Sequence, residues 1–217
     1  MPNNAPSRTE SFFDSYATDF NAIYGNEDSW FSGFINRVFR RSMRLRYEYT
    51  LQACDPLVGK TVLDIGCGPG HYSIALASAG AAKVVGLDFA PGMIELATQK
   101  ALKAGLQELC SFRTGDFFEL EETGQFDYVI LMGFMDYMQN AQEVIDKALR
   151  LTRRTCFFSF PASGGILAWQ RKLRYKSRCP LYLYDKEELI RIFASQMDFH
   201  SQIIRIDRDY WVKAERR

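Results

Sequence analysis

Three glycines at alternate positions, Gly66, Gly68 and Gly70, follow directly on the apolar run Val62-Leu63-Asp64-Ile65. That run is short and strand-forming, the pattern of a parallel strand buried on both faces. Apolar periodicity then resumes as a helix from Ser73 to Ala79. A strand that turns through glycines into a helix sets backbone N–H groups beside a helix N-terminus. A Cβ at those positions would block both the turn and the close approach of a ligand. The junction is therefore predicted to be a ligand site with bare loop amides beside the helix N-terminus.

The spacing narrows the ligand. A dinucleotide fingerprint G-x-G-x-x-G needs a third glycine where His71 stands, whereas this chain reads G-x-G-x-G with Asp64 two residues ahead. The nine residues Val62-Leu63-Asp64-Ile65-Gly66-Cys67-Gly68-Pro69-Gly70 closely resemble motif I of the class I S-adenosylmethionine-dependent methyltransferases. The resemblance continues in order through three further stretches, across residues 61–138. Val85-Gly86-Leu87-Asp88-Phe89-Ala90-Pro91-Gly92-Met93 matches "G-L-D-x-S/A-x-x-M", Gly115-Asp116-Phe117 matches a "G-D" pair, and Phe126-Asp127-Tyr128-Val129 matches "F-D-x-V" of motif IV.

The resemblance implies a Rossmann-like class I methyltransferase fold: an α/β/α three-layer sandwich with a mostly parallel seven-stranded sheet and a C-terminal antiparallel strand. It implies S-adenosyl-L-methionine as cofactor and a single methyltransferase domain over 1–217, with 1–58 a helical cap and 59–217 the α/β core. On that pattern Asp64, Gly66, Cys67, Gly68 and Gly70 form the loop beneath the donor, and Phe89 and Met93 wall the adenine. Asp116 receives the exocyclic amine and Phe117 offers its amide. Independently of any family, Asp88 ends the second strand 22 residues after Gly66, the distance at which βαβ sites put a carboxylate on the ribose hydroxyls. One carboxylate can accept from both vicinal hydroxyls.

Functional residues belong outside the C-terminal ends of parallel strands. This places Met132, Gly133, Asp136 and Tyr137, just after the fourth strand, near the transferable methyl. Asp136 and Tyr137 are the candidates for the acceptor side. Upstream, Phe12, Phe13, Tyr16, Phe20 and Tyr24 fall near one helical face. They form either a core-docking stripe or a lid, in which Tyr16 and Tyr24 touch cofactor or substrate. A second helix, from Gly33 to Cys54, carries Arg37, Arg40, Arg41, Arg44 and Arg46 and reads as a solvated basic face, with contact to an acidic substrate or partner as the alternative. The basic run Arg171 to Arg178 reads as a solvated face or an anion clamp. Asp185 with Glu188 at capping-box distance opens a late helix, and Ile203–Ile206 with Tyr210–Lys213 form a closing hairpin.

Other classes are disfavoured. A net charge of +1 gives no general argument for nucleic acid. Five scattered cysteines with no C-x-x-C pair indicate neither a disulfide framework nor a zinc site, which fits a cytoplasmic protein. The longest uncharged stretch, Ile65 to Ala82, is cut by glycines and a proline and is no membrane span. After strand four the chain has Met132-Gly133-Phe134-Met135, not the Asn/Asp-Pro-Pro-aromatic motif of amino-methylating nucleic-acid enzymes, and Cys156 lies inside an apolar strand with no Pro-Cys partner. No metal is expected. What remains is a small-molecule methyltransferase acting on oxygen, nitrogen or carbon. The alternatives are an RNA methyltransferase using the Arg/Lys clusters, a non-catalytic donor-binding partner subunit, and a nicotinamide oxidoreductase. The methyl acceptor and the oligomeric state are not legible.

Overall fold

The computed structural model describes residues 30–121, 125–164 and 180–217, with side chains in the first helix from residue 41 onward. Seven strands form one sheet in the order β3-β2-β1-β4-β5-β7-β6. These are β1 Thr61–Ile65, β2 Lys83–Asp88, β3 Cys110–Thr114, β4 Phe126–Leu131, β5 Thr152–Pro161, β6 Phe199–Ile206 and β7 Asp209–Arg216. The first five are mutually parallel, and β7 runs antiparallel between β5 and β6. The expected C-terminal hairpin is present, longer than its apolar core suggested, and its turn holds Asp207 at φ 47°.

The order turns back on itself at β1. Chain that leaves β1 goes outward to β2 and β3, then returns to β4 on the other side. Two loops therefore splay apart at the C-terminal ends of β1 and β4, and this crevice is where doubly wound sheets bind ligands.

The helices are α1 Trp30–Ala53, α2 His71–Ser78, α3 Pro91–Lys103, α4 Ala141–Arg150 and α5 Lys186–Ala194. Strand alternation assigns them to faces. On β5, Phe157 points to the α1/α2 side while Cys156, Phe158 and Phe160 point to the α4/α5 side. The α1 side carries a ladder of stacked rings, Tyr128 on Phe157 at 6.2 Å and Phe157 on Trp211 at 5.8 Å. Trp211 also donates Nε1–H to Thr50 Oγ1 of α1 at 2.9 Å, which fixes the helix to the sheet. On the other face Phe193 of α5 meets Phe158 and Phe160 edge-on.

Local signals behave as their chemistry requires. Asp185 accepts from the Glu188 amide at 2.7 Å and caps α5. Asn140 does the same for α4 through Glu143. Asp127, at the start of β4, takes both the amide and the hydroxyl of Thr61 and lies 3.6 Å from Lys60. Partial burial opposes its charge, but the Thr61 hydrogen bonds and the Lys60 and Arg153 cations prevail and hold its carboxyl below the usual range. Its place is structural: it latches β4 to β1 at the end opposite the crevice.

Candidate functional site

The glycine loop is a close-wound turn. Gly66, Gly68 and Gly70 all adopt φ between 51° and 76°, which only glycine enters without strain. Its amides are not left bare as expected. Those of Gly66 and Cys67 both donate to the Leu87 carbonyl, at 2.8 and 3.0 Å, and that of Gly70 donates to Cys67 at 3.0 Å. The Gly68 amide donates to Asp88 Oδ2 at 2.8 Å. The loop satisfies itself, which leaves close approach, and not donation, as what it can offer a ligand.

Two acids support it. Asp88 bridges the loop and the start of α3, because its Oδ1 also accepts from the Ala90 amide at 3.0 Å. Asp64 sits beneath the loop, 2% exposed, with Ser73 Oγ donating to it at 2.6 Å. Burial raises its carboxyl to about 6, against the Ser73 hydrogen bonds that lower it; the nearby Asp88 charge raises it further. The Cys67 side chain is also turned inward. Burial and then the two acids push its thiol up, leaving a neutral sulfur under Phe112.

The close fit continues into β2. A Cβ on Gly86 would meet Phe112 Cδ1 at 2.5 Å and Cys67 Sγ at 2.9 Å, so the glycine of the "G-L-D" stretch is required by packing. Phe89 packs against buried Met93 in a small apolar cluster beside Asp88, which brings the two expected adenine-wall residues together.

The opposite wall comes from the ends of β3 and β4. Asp116 Oδ1 accepts from the Phe118 amide at 2.8 Å and caps a single 3-10 turn, Phe117–Glu119. The amide of a first turn residue has no partner within its own turn, which makes Phe117 N–H a candidate donor. The Phe117 ring itself is buried, edge-on to Phe134 at 5.7 Å. Phe134 in turn covers Gly66, where a Cβ would lie 2.8 Å from its ring. A second 3-10 turn, Met135–Tyr137, carries Asp136, which is 6% exposed. Tyr184 donates its hydroxyl to Met138 at 2.9 Å, and the Tyr182 amide donates to the Asp136 carbonyl at 2.9 Å. Burial, followed by the charges of Glu188 and Asp136, raises the Tyr184 hydroxyl and keeps it a donor.

One residue corrects the sequence expectation. Arg46 is no part of a solvated basic face, being 8% exposed. Its Nη1 donates to Ser159 Oγ at 3.0 Å and lies 3.6 Å from Asp209 Oδ2, which also receives the Ser42 hydroxyl at 2.6 Å. Ser159 Oγ further accepts the Gly133 amide at 2.7 Å, at the C-terminal end of β4. Arg46 Nε is buried with no hydrogen-bond partner. A buried guanidinium with an unused donor thus lies beside the C-terminal end of β5. By contrast Arg41 and Arg44 are exposed, pairing with Asp207 and Glu48. Met132 lies below, its sulfur 3.9 Å from Thr50 Oγ1. Tyr16, Tyr24 and the run Arg171 to Arg178 lie outside the described residues.

Among the described residues no cluster of His, Cys, Asp and Glu is suited to a metal, and no helix is long and apolar enough to cross a membrane. Cys54, Cys67, Cys110 and Cys156 are free and buried.

Fold and crevice together define a Rossmann-like class I methyltransferase architecture. The chain belongs to the methyltransferase family: the family described as "Methyltransferase domain" matches residues 57–205. It is 30% identical over 209 residues to the magnesium-protoporphyrin O-methyltransferase of Rhodobacter capsulatus, covering 93% of this chain and 89% of that protein. It is also 30% identical over 164 residues to the ubiquinone biosynthesis O-methyltransferase of Vibrio campbellii, covering 74% of this chain and 64% of that one. Against the Shewanella pealeana protein of the same name the covered share of the relative is 42%, so the chain spans about half to two thirds of these ubiquinone relatives. Among solved structures, magnesium protoporphyrin IX methyltransferase from Synechocystis with bound SAH superimposes with a TM-score of 0.79 at 23% identity, covering 98% of this chain and 100% of that one. The DhpI-SAH complex gives 0.68 at 15% identity, covering 100% and 98%.

Proposed function

We propose that this protein is an S-adenosyl-L-methionine-dependent methyltransferase (EC 2.1.1.-) that transfers a methyl group to an oxygen of a small-molecule acceptor. The observation that carries the reading is the pairing, at the C-terminal ends of the parallel strands, of Asp88, which closes β2 against the glycine loop, with a buried Arg46 whose Nε has no hydrogen-bond partner. These suit the two polar ends of an adenosyl amino acid. Asp88 takes the ribose hydroxyls and Arg46 takes the carboxylate. Asp116 Oδ2 takes the exocyclic amine, Phe117 N–H donates to the ring, and Phe89 and Met93 wall the adenine. Gly68 and Gly133, with open space where a Cβ would be, leave room for close approach.

When bound, the donor supplies a methyl already activated by its sulfonium. The protein's work is then alignment and exclusion of water, which can contribute on the order of 7–11 kcal/mol. Phe134 over Gly66 and the Met135–Tyr137 turn form the wall nearest the reacting centre. Asp136 is the candidate to accept the proton of a hydroxyl acceptor, with Tyr137 beside it as a candidate to hold the acceptor. Both O-methyltransferase relatives support oxygen as the methylated atom, and the magnesium-protoporphyrin relative, matched over nearly its whole length, supports a large planar acceptor.

Calorimetric titration with S-adenosylhomocysteine tests this. Wild type is expected to bind, Asp88→Ala and Arg46→Met to lose tenfold or more, at about 1.4 kcal/mol per decade. Failure of the wild type to bind removes the proposal. A panel of hydroxylated aromatics and porphyrin carboxylates then identifies the acceptor.

A further inference from the structure

Lys147 of α4 is the residue the donor-site reading leaves unexplained. It is 8% exposed, on the helix face turned to the sheet. Its ammonium donates to two backbone carbonyls, Phe118 at 2.9 Å and Leu120 at 2.8 Å. Both belong to the turn that Asp116 caps. The same nitrogen lies 5.4 Å from the centre of the Phe117 ring, on its face. Hydrogen bonds and a ring face thus surround one buried cation.

A buried cation is a poor device for stability alone, since desolvation consumes much of what its contacts return. What it supplies is direction. Three donors on one atom collect the two carbonyls and fix their separation. The Asp116 carboxylate holds the front of the turn through the Phe118 amide, and Lys147 holds its back through the Phe118 and Leu120 carbonyls. The Phe117 ring under the ammonium bears on Phe134, and Phe134 bears on Gly66. One side chain therefore connects α4 to both the adenine-facing acid and the glycine loop.

We infer that Lys147 is a positioning residue for base recognition: it sets the Asp116–Leu120 turn so that Asp116 meets an exocyclic amine. The inference rests on the adenosyl-donor reading above. Without the ammonium two carbonyls lose their partners and the turn relaxes, which moves Asp116 while leaving Asp88 and Arg46 in place.

The test uses two probes, S-adenosylhomocysteine and S-inosylhomocysteine, the second lacking the exocyclic amine. Wild type is expected to prefer the first by about tenfold, the scale of one hydrogen bond to a charged group. Lys147→Met is expected to reduce that preference to about twofold or less, and to raise donor KM with acceptor KM and kcat little changed. Lys147→Arg, which retains several donors, is expected to restore most of the preference. If Lys147→Met is too unstable to study, Lys147→Gln, with one amide donor, is expected to fall between. Unchanged base preference in the Met or Gln variant, with only a lower unfolding midpoint, overturns the inference and leaves the donor reading standing. Absence of wild-type binding to either probe overturns both.

Discussion

Replacing Asp64 by Asn should make the protein more stable at neutral pH, by an amount that depends on pH. The carboxyl is 2% exposed, with Ser73 as its hydrogen-bonding partner, and burial moves its pKa from 3.8 to about 6. In the unfolded chain it loses its proton near the lower value and in the folded chain near the higher one. Between the two, the folded state binds more protons, so stability falls as pH rises through this window and levels out above it. The difference of roughly two pH units corresponds to about 3 kcal/mol. Asn occupies the same volume, can still accept from Ser73, and carries no charge to desolvate. Its NH2, set where the protonated carboxyl has an O–H, costs about 1 kcal/mol through a less well matched hydrogen bond at all pH values. The stability of the variant minus that of wild type should therefore rise by about 3 kcal/mol between about pH 4 and about pH 7.5, crossing zero on the way. Urea unfolding followed by tryptophan fluorescence at several pH values measures it, because titrations common to both proteins cancel. A difference that stays flat across the window would refute the assignment of the raised carboxyl to Asp64.

The same carboxyl should respond to ligand. A cationic donor seated on the loop stabilises the ionised form, so binding near pH 6 should release a fraction of a proton, detectable by calorimetry in buffers of unlike ionisation enthalpy. Gly86→Ala should cost about 1–3 kcal/mol through overpacking against Phe112 and Cys67, and Phe112→Leu in the same chain should recover part of the loss in urea midpoint. Trp211→Phe strands the Thr50 hydroxyl and should cost about 1–2 kcal/mol with the sheet intact by circular dichroism. Asp88→Ala should lower stability as well as donor affinity, by about 1–3 kcal/mol, because the Gly68 and Ala90 amides lose their acceptor; Asp88→Asn should retain more of both, as read by thermal unfolding.

The legible part of this fold is the part written in consecutive residues. The β1–α2 junction, the acid closing β2 and the capped turn at Asp116 each depend on neighbours within a few positions. Their spacing therefore carries their geometry. Arg46 was misread because nothing in its helix distinguishes it from Arg41 or Arg44. It is buried by Ser159 and Asp209, 113 and 163 residues away, and helical periodicity holds no information about β5 or β7. Lys147 presents the same difficulty, since a cation in the last turn of a helix ordinarily serves the helix dipole. The expectation of bare loop amides failed for a different reason: glycine spacing announces a tight turn but not which acceptors the turn finds, and here Leu87 and Asp88 take them. Phe134, which covers Gly66, carried no signal beyond its place after β4.

The position of β7 has a consequence for biosynthesis. This strand enters between β5 and β6, and its first residue, Asp209, sits 3.6 Å from the guanidinium of α1. A ribosome releases the glycine loop and its acids long before it releases that residue. Until then that cation has no counter-charge and β5 remains an open margin. A nascent chain can wind its first βα half early, yet the pocket around Arg46 closes only once β7 has emerged. Chaperone capture and ligand rescue should both act within that interval.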